Sequence, residues 1–171
     1  HGMPPGTSRY RRRVKAVSDR AQASASRRMR NPRRCLASHW SKAALKEAQK
    51  SGRARVAGST ESSGFDRVPA QGELDLDAGA AYLHFTSNNT IYGTQWSIDP
   101  EPPPGVPLVC DASSDALSRP VNVGRLGLFY AGAQKNLGPA GVTLVIVRKD
   151  LLERTPGDLP AVLDYRLMAE N

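Results

Sequence analysis

Lys135 stands in Ala131-Gly-Ala-Gln-Lys-Asn-Leu-Gly-Pro-Ala-Gly141, where small residues flank a single amine on both sides. A lone lysine is ordinarily a solvated surface charge. Here apolar runs precede and follow it, and Gly138, Pro139 and Gly141 tighten the backbone around it. An amine that loses hydration in such a pocket gives up its proton more readily and can attack a carbonyl. Asp111 closes the apolar run Pro107-Leu-Val-Cys110 and precedes Ala112-Ser113-Ser114. Two readings fit it. It is a turn or helix N-cap aspartate, or it is a carboxylate facing a ring nitrogen that must stay protonated.

Other candidates are weaker on local grounds. Trp40 opens a helix-forming stretch and is either packing or a platform for a flat ligand. Ser87-Asn-Asn-Thr90 is either a plain turn or a set of hydroxyl and amide donors for an anion. His1, His39 and His84 have no metal-ligand spacing and belong to no Ser/His/Asp arrangement. Cys35 and Cys110 lie far apart and outside any CxxC pattern, which points to a reducing compartment with neither a disulfide framework nor a zinc site.

These side chains need elements to hold them. The run from Ser41 to Lys50 is rich in helix formers, with Ser41 as the expected N-cap and Gly52 as the stop. Ala44, Leu45 and Ala48 form its apolar stripe. Strands are expected over 55–57, 81–86, 107–110, 126–131 and 142–147, with a surface connection over 58–79 and a proline-rich loop over 100–107. A short helix is expected to start over 149–153. Val142-Thr-Leu-Val-Ile-Val147 reads as a strand buried on both faces. Such an alternation describes an α/β sheet, where ligands collect at the carboxyl ends of strands. Asp111 and Lys135 both fall at such ends.

The formal charge of +8 is unevenly spread. Residues 1–34 hold eleven Lys or Arg and one acid, leaving thirteen basic and fifteen acidic residues in 35–171. The basicity therefore belongs to a leader rather than to the folded part. Residues 1–37 show no helical or strand period, so the expectation is a disordered or extraneous leader with order beginning near Ser38. A transit-peptide-like segment and a nucleic-acid-binding arm are the alternatives for it. No apolar run approaches the roughly 18 residues of a membrane-spanning helix, and no apolar stretch near the start resembles a secretory signal.

Five segments, in order, resemble the phosphoserine aminotransferase family of class-V, fold-type-I pyridoxal-phosphate enzymes. They are His39-Trp-Ser-Lys-Ala-Ala44, Ser87-Asn-Asn-Thr-Ile-Tyr-Gly93, Cys110 to Pro120, Tyr130 to Arg148, and Leu159 to Tyr165. The likeness covers roughly residues 38–171. It implies a three-layer α/β sandwich with a mixed, mostly parallel sheet, here the incomplete pyridoxal-phosphate-binding large domain. It also implies roles: Lys135 forms the Schiff base and shuttles a proton, Asp111 pairs with the pyridinium nitrogen, and Trp40 stacks on the ring. Thr90 hydrogen-bonds the cofactor and Gln134 helps hold its phosphate. The implied reaction moves an amino group from glutamate to 3-phosphohydroxypyruvate, in a cytoplasmic homodimer of the full-length parent, without membrane or nucleic-acid partners. The chain departs from the pattern at Asn89, where the family usually has Glu, and at Ser38, where it often has Gly. A glycine-rich phosphate-binding turn is expected upstream of Trp40 and is not found in residues 1–37. The chain stops at Asn171, before a partner-contributed segment and the C-terminal domain, so the expectation is an internal fragment joined to an unrelated leader, feeble or inactive alone. Rival expectations are another fold-type-I enzyme, such as an alanine–glyoxylate aminotransferase or a cysteine desulfurase, a basic nucleic-acid-binding protein, and a non-catalytic remnant.

Overall fold

The computed structural model describes residues 33–37 and 39–170, with side chains for 41–50 and 52–170. Residues 1–32 of the expected leader, Ser38 and the side chain of Trp40 lie outside the described residues.

Six strands form one mixed sheet: β1 (Arg33–Ala37), β2 (Ala54–Ser59), β3 (Leu83–Thr86), β6 (Leu108–Asp111), β7 (Leu128–Gly132) and β8 (Thr143–Val147). Their order is β2-β1-β3-β6-β7-β8. All neighbours run parallel except β7 and β8. A two-stranded antiparallel hairpin, β4 (Asn88–Asn89) and β5 (Thr94–Gln95), follows β3 directly. Three α-helices are described: α1 (His39–Ser51), α2 (Lys149–Glu153) and α3 (Tyr165–Ala169). The expected α/β class with a mixed, mostly parallel sheet holds.

Side chains alternate along each strand, and the alternation sorts the sheet into two unlike faces. On one, Leu83, Phe85, Leu108, Cys110, Phe129 and Ala131 are buried and form the centre of the core. Trp96 meets Phe85 edge-on, with ring centroids 6.0 Å apart. Burial pushes the Cys110 thiol well above its usual range, which keeps it an inert packing residue. The other face carries His84, Thr86, Val109, Asp111, Leu128 and Tyr130, partners across three strands. Helix α1 packs against β1, β2 and β3, with Ala48 of its expected apolar stripe buried.

Four sequence expectations need correction. The border at residue 38 fails, because Arg33–Ala37 is an interior strand paired on both sides. Its three-residue apolar run, Cys35-Leu36-Ala37, is hidden in sequence by the arginines before it. Helix α1 starts at His39, so Ser41 is not its N-cap. Ser41 lies in the first turn, buried, and shares a 2.9 Å hydrogen bond with Thr86 Oγ1 that ties the helix start to β3. Strand β8 is not buried on both faces: Leu144 is 38% exposed and Ile146 42%. It is one of the two edge strands of the described sheet, so its β-branched run reflects strand propensity rather than full burial. Residues 58–79 are only partly a connection, since β2 runs on to Ser59.

Two glycines are required by geometry. A Cβ on Gly127 would stand 2.7 Å from the Pro107 Cβ and 3.0 Å from Leu151 Cδ1. Gly141, entering β8, has φ +100°, a backbone that side chains disfavour.

Candidate active site

The carboxyl ends of β3, β6 and β7 open onto one cleft of about 150 Å³, lined by Thr86, Asn88, Asp111, Ser113, Ser114, Gln134 and Lys135. Sheet order explains the gathering. Strand β6 lies between β3 and β7, so whatever follows these three strands meets above Asp111.

Asp111 is the last residue of β6, half-buried, with Thr86 and Tyr130 as its cross-strand neighbours. Its Oδ1 accepts a 3.0 Å bond from the Ser113 amide, and so the carboxylate is held at its own turn. Lys135 sits on a single helical turn after β7, in which the Leu137 and Gly138 amides both donate to the Ala133 carbonyl. The base of the loop is closed by the Ala133 amide donating to Val142 O at 2.9 Å. Lys135 Nζ donates to Thr90 Oγ1 at 2.7 Å, joining the β7–β8 loop to the β4–β5 turn. The amine is exposed, so the described residues do not supply the loss of hydration expected for it.

The segment Ser87–Thr90 splits by face. Asn88 lines the cleft and Thr90 reaches Lys135. Ser87 points to the opposite side of the sheet, beside Cys110 and Phe129. Asn89 is buried in a separate small cavity with Ser41, Phe65 and Trp96, and its Nδ2 has no hydrogen-bond partner in the structure. Gln134 is exposed at the cleft rim. The backbone of Trp40 lies in the first turn of α1, one residue before Ser41.

Below Asp111 on the same face, the buried His84 places Nε2 3.0 Å from the Tyr130 hydroxyl. Burial lowers the His84 pKa and outweighs the opposing Asp111 charge, which favours a neutral imidazole. Sequence reasoning passed over His84 for lack of a metal or triad spacing. It assigned no role to Ser113, Ser114, Asp115 or Asn136. Their signal was small polar residues directly following both strand ends. Among the described residues no group of three His, Cys, Asp or Glu is placed to hold a metal, and no described helix is long and apolar enough to cross a membrane.

Residues 35–160 match the Aminotransferase class-V family. The chain belongs to that family. A phosphoserine aminotransferase of Laribacter hongkongensis (strain HLHK9) is 54% identical over 135 residues, covering 79% of this chain and 37% of the relative. The solved phosphoserine aminotransferase from Bacillus circulans subsp. alkalophilus superposes with a TM-score of 0.83 at 36% identity, over 98% of this chain and 53% of that one. A PLP-bound phosphoserine aminotransferase from Trichomonas vaginalis gives a TM-score of 0.78 at 30% identity, over 92% of this chain and 47% of that one. The chain thus spans little more than a third of the length of its Laribacter relative.

Proposed function

We propose that this chain is the cofactor-binding part of a phosphoserine aminotransferase and that Lys135 and Asp111 hold pyridoxal phosphate between them. One observation carries the reading: an amine and a carboxylate, from the ends of adjacent strands, line the same cleft with hydroxyl donors between them. The donor set fits the cofactor. Asp111 is acceptor-only when ionised and suits a protonated ring nitrogen, and Lys135 is the one cation among the cleft-lining residues and suits an aldehyde carbon. The Trichomonas vaginalis protein, described as PLP-bound, supports the same assignment.

When bound, pyridoxal phosphate supplies an aldehyde for amine exchange and an electron-poor ring. The chain's own residues do the rest. Asp111 would keep a proton on the ring nitrogen, its carboxylate held in place by the bond from the Ser113 amide. Lys135 would hold the cofactor's aldehyde carbon through its amine, with loss of water, and, once a substrate amine had taken its place, would move a proton at the substrate α-carbon, within hydrogen-bond reach of Thr90. Gln134, at the rim, would help hold the phosphate, and Trp40 is assigned to the ring by the resemblance.

The amino donor is glutamate and the acceptor 3-phosphohydroxypyruvate, a reading supported by the 54% identity to the Laribacter enzyme. The reading includes a cytoplasmic homodimer of the full-length parent.

Titration with pyridoxal phosphate, followed by the near-ultraviolet band of lysine-bound cofactor, tests the reading. Lys135→Ala is expected to abolish the band while circular dichroism stays unchanged. A band that survives the substitution rejects Lys135 as the attachment point. Half-reactions with glutamate, tried against phosphohydroxypyruvate and glyoxylate, separate this activity from other class-V members.

A further inference from the structure

Asp115 is 7% exposed and lies among the residues that back the core side of the sheet, away from the cleft. Its carboxylate accepts from Ser87 Oγ and from Gln95 Nε2 at 2.9 Å, with the Arg119 guanidinium 3.9 Å away. Ser87 directly precedes β4 and Gln95 ends β5, so they stand at the foot of the two legs of a hairpin whose turn carries Thr90. The Ser87 amide also donates to the Asp111 carbonyl at 2.9 Å. The neighbours of Asp115 repeat the pattern. Ser114 exchanges 2.9 Å bonds with the side-chain amide and the carbonyl of Asn88. Ser113 Oγ accepts from the Gly132 amide, at the end of β7. The Ala116 carbonyl accepts from Asn136 Nδ2, next to Lys135.

Four consecutive residues, 113–116, therefore grip the loops bearing Thr90 and Lys135 from the turn that follows Asp111. We infer that Asp115 is a positioning residue for the cofactor site: by holding both legs of the β4–β5 hairpin to the Asp111 turn, it sets Thr90, and through Thr90 the Lys135 amine, at a fixed reach from the Asp111 carboxylate. The Gln95 amide can only donate to Asp115, and the Ser87 hydroxyl, which also lies 3.1 Å from the Asp111 carbonyl, has one proton to share between these two acceptors. Asp accepts on both oxygens, whereas Asn, accepting from Gln95, must turn its donor group to Ser87, whose proton then goes to the Asp111 carbonyl, so the charged contact to Ser87 is lost. A buried carboxylate without such partners would be costly, and the Arg119 charge beside it offsets its own.

The inference rests on the cofactor reading above, so the test measures the cofactor directly in the intact protein. Two quantities are read: the dissociation constant of pyridoxal phosphate, and the apparent pKa of the lysine-bound absorption band by pH titration. Asp115→Asn is expected to weaken binding about tenfold, the size of one lost hydrogen bond to a charged group, and to move the band's pKa. Gln95→Ala, at an exposed position, is expected to do the same more weakly, which keeps the test alive should Asp115→Asn fold poorly. The double variant Asp115→Asn with Gln95→Glu restores an acceptor for Ser87 and a donor for the new carboxylate, and both readouts should return to within about twofold of the parent. Val106→Ala, in the core at the far end of β6, should lower the melting temperature and leave the band's pKa where it was. A shift from Val106→Ala equal to that from Asp115→Asn would reduce Asp115 to a stability residue and overturn the inference. A wild-type band with Asp115→Asn and Gln95→Ala indistinguishable from it overturns this inference alone. Absence of the band in the wild type takes down the cofactor reading and this inference with it.

Discussion

Strand β3, Leu-His-Phe-Thr, is less apolar than β8, Thr-Leu-Val-Ile-Val, yet it is the one that is buried. Every residue of β3 is buried, although one is a histidine and one a threonine. Every residue of β8 is half-buried or exposed, although four of five are large and apolar. Strand β3 has parallel neighbours on both sides, α1 over one face and Trp96 over the other. Strand β8 pairs only with β7 among the described residues, and the helix that follows it, α2, has no buried residue. Burial in this sheet is decided by position in the strand order. Polar residues at the centre are tolerated because each finds a partner: Thr86 has Ser41, and His84 has Tyr130.

The contrast can be broken most sharply at Phe85, which is 0% exposed. Phe85→Ala should cost about 3–5 kcal/mol, by the transfer and cavity terms of a large core side chain, measured by denaturant unfolding. A loss below about 1 kcal/mol would mean that the centre of the sheet is not a packed core.

The next effect is one of pH. His84 is buried neutral with a lowered pKa, so below about pH 6.5 the unfolded chain binds a proton that the folded chain refuses. Stability is therefore fully present above that pH and falls as the solution is acidified toward the lowered folded value. Melting temperature should drop between pH 7.5 and 5.5, and His84→Gln, neutral throughout, should flatten that part of the profile. An unchanged profile in the variant would place the titrating group elsewhere.

The smallest effect belongs to β8. Ile146→Ala, at 42% exposure, should cost no more than about 1 kcal/mol, because a half-exposed side chain has less transfer energy to lose and leaves no closed cavity. Amide exchange should show the same ranking, with β3 and β6 protected longer than β8. A large loss at Ile146 would show that this face of β8 is covered in solution.

The legible parts of the molecule were those written in short range. Asp111 and Lys135 stood out because each follows an apolar run, and strand ends are where open sheets assemble sites. The order of strands was not legible, and three misreadings follow from that. Arg33–Ala37 looked like tail because its arginines outweigh its apolar core, yet it pairs on both sides inside the sheet. The β-branched run of β8 looked central, because periodicity reports propensity and not the number of neighbours. Ser41 looked like a cap because helix-forming residues begin there, whereas its hydroxyl is committed to Thr86, 45 residues away. Asp115 was invisible for the same reason: its partners are Ser87 and Gln95, 28 and 20 positions upstream.

The loop that bears Lys135 is stitched shut at its base by Ala133 and Val142, immediately before the antiparallel β7–β8 ladder begins. Its length is thus locked in phase with two strands at once, since a one-residue slip in either would turn that strand inside out. Evolution can lengthen such a loop only outward, at its tip, where added residues would carry the amine away from the carboxylate. The base of the loop is for that reason fixed against insertion, and variation in length is left to its outer residues.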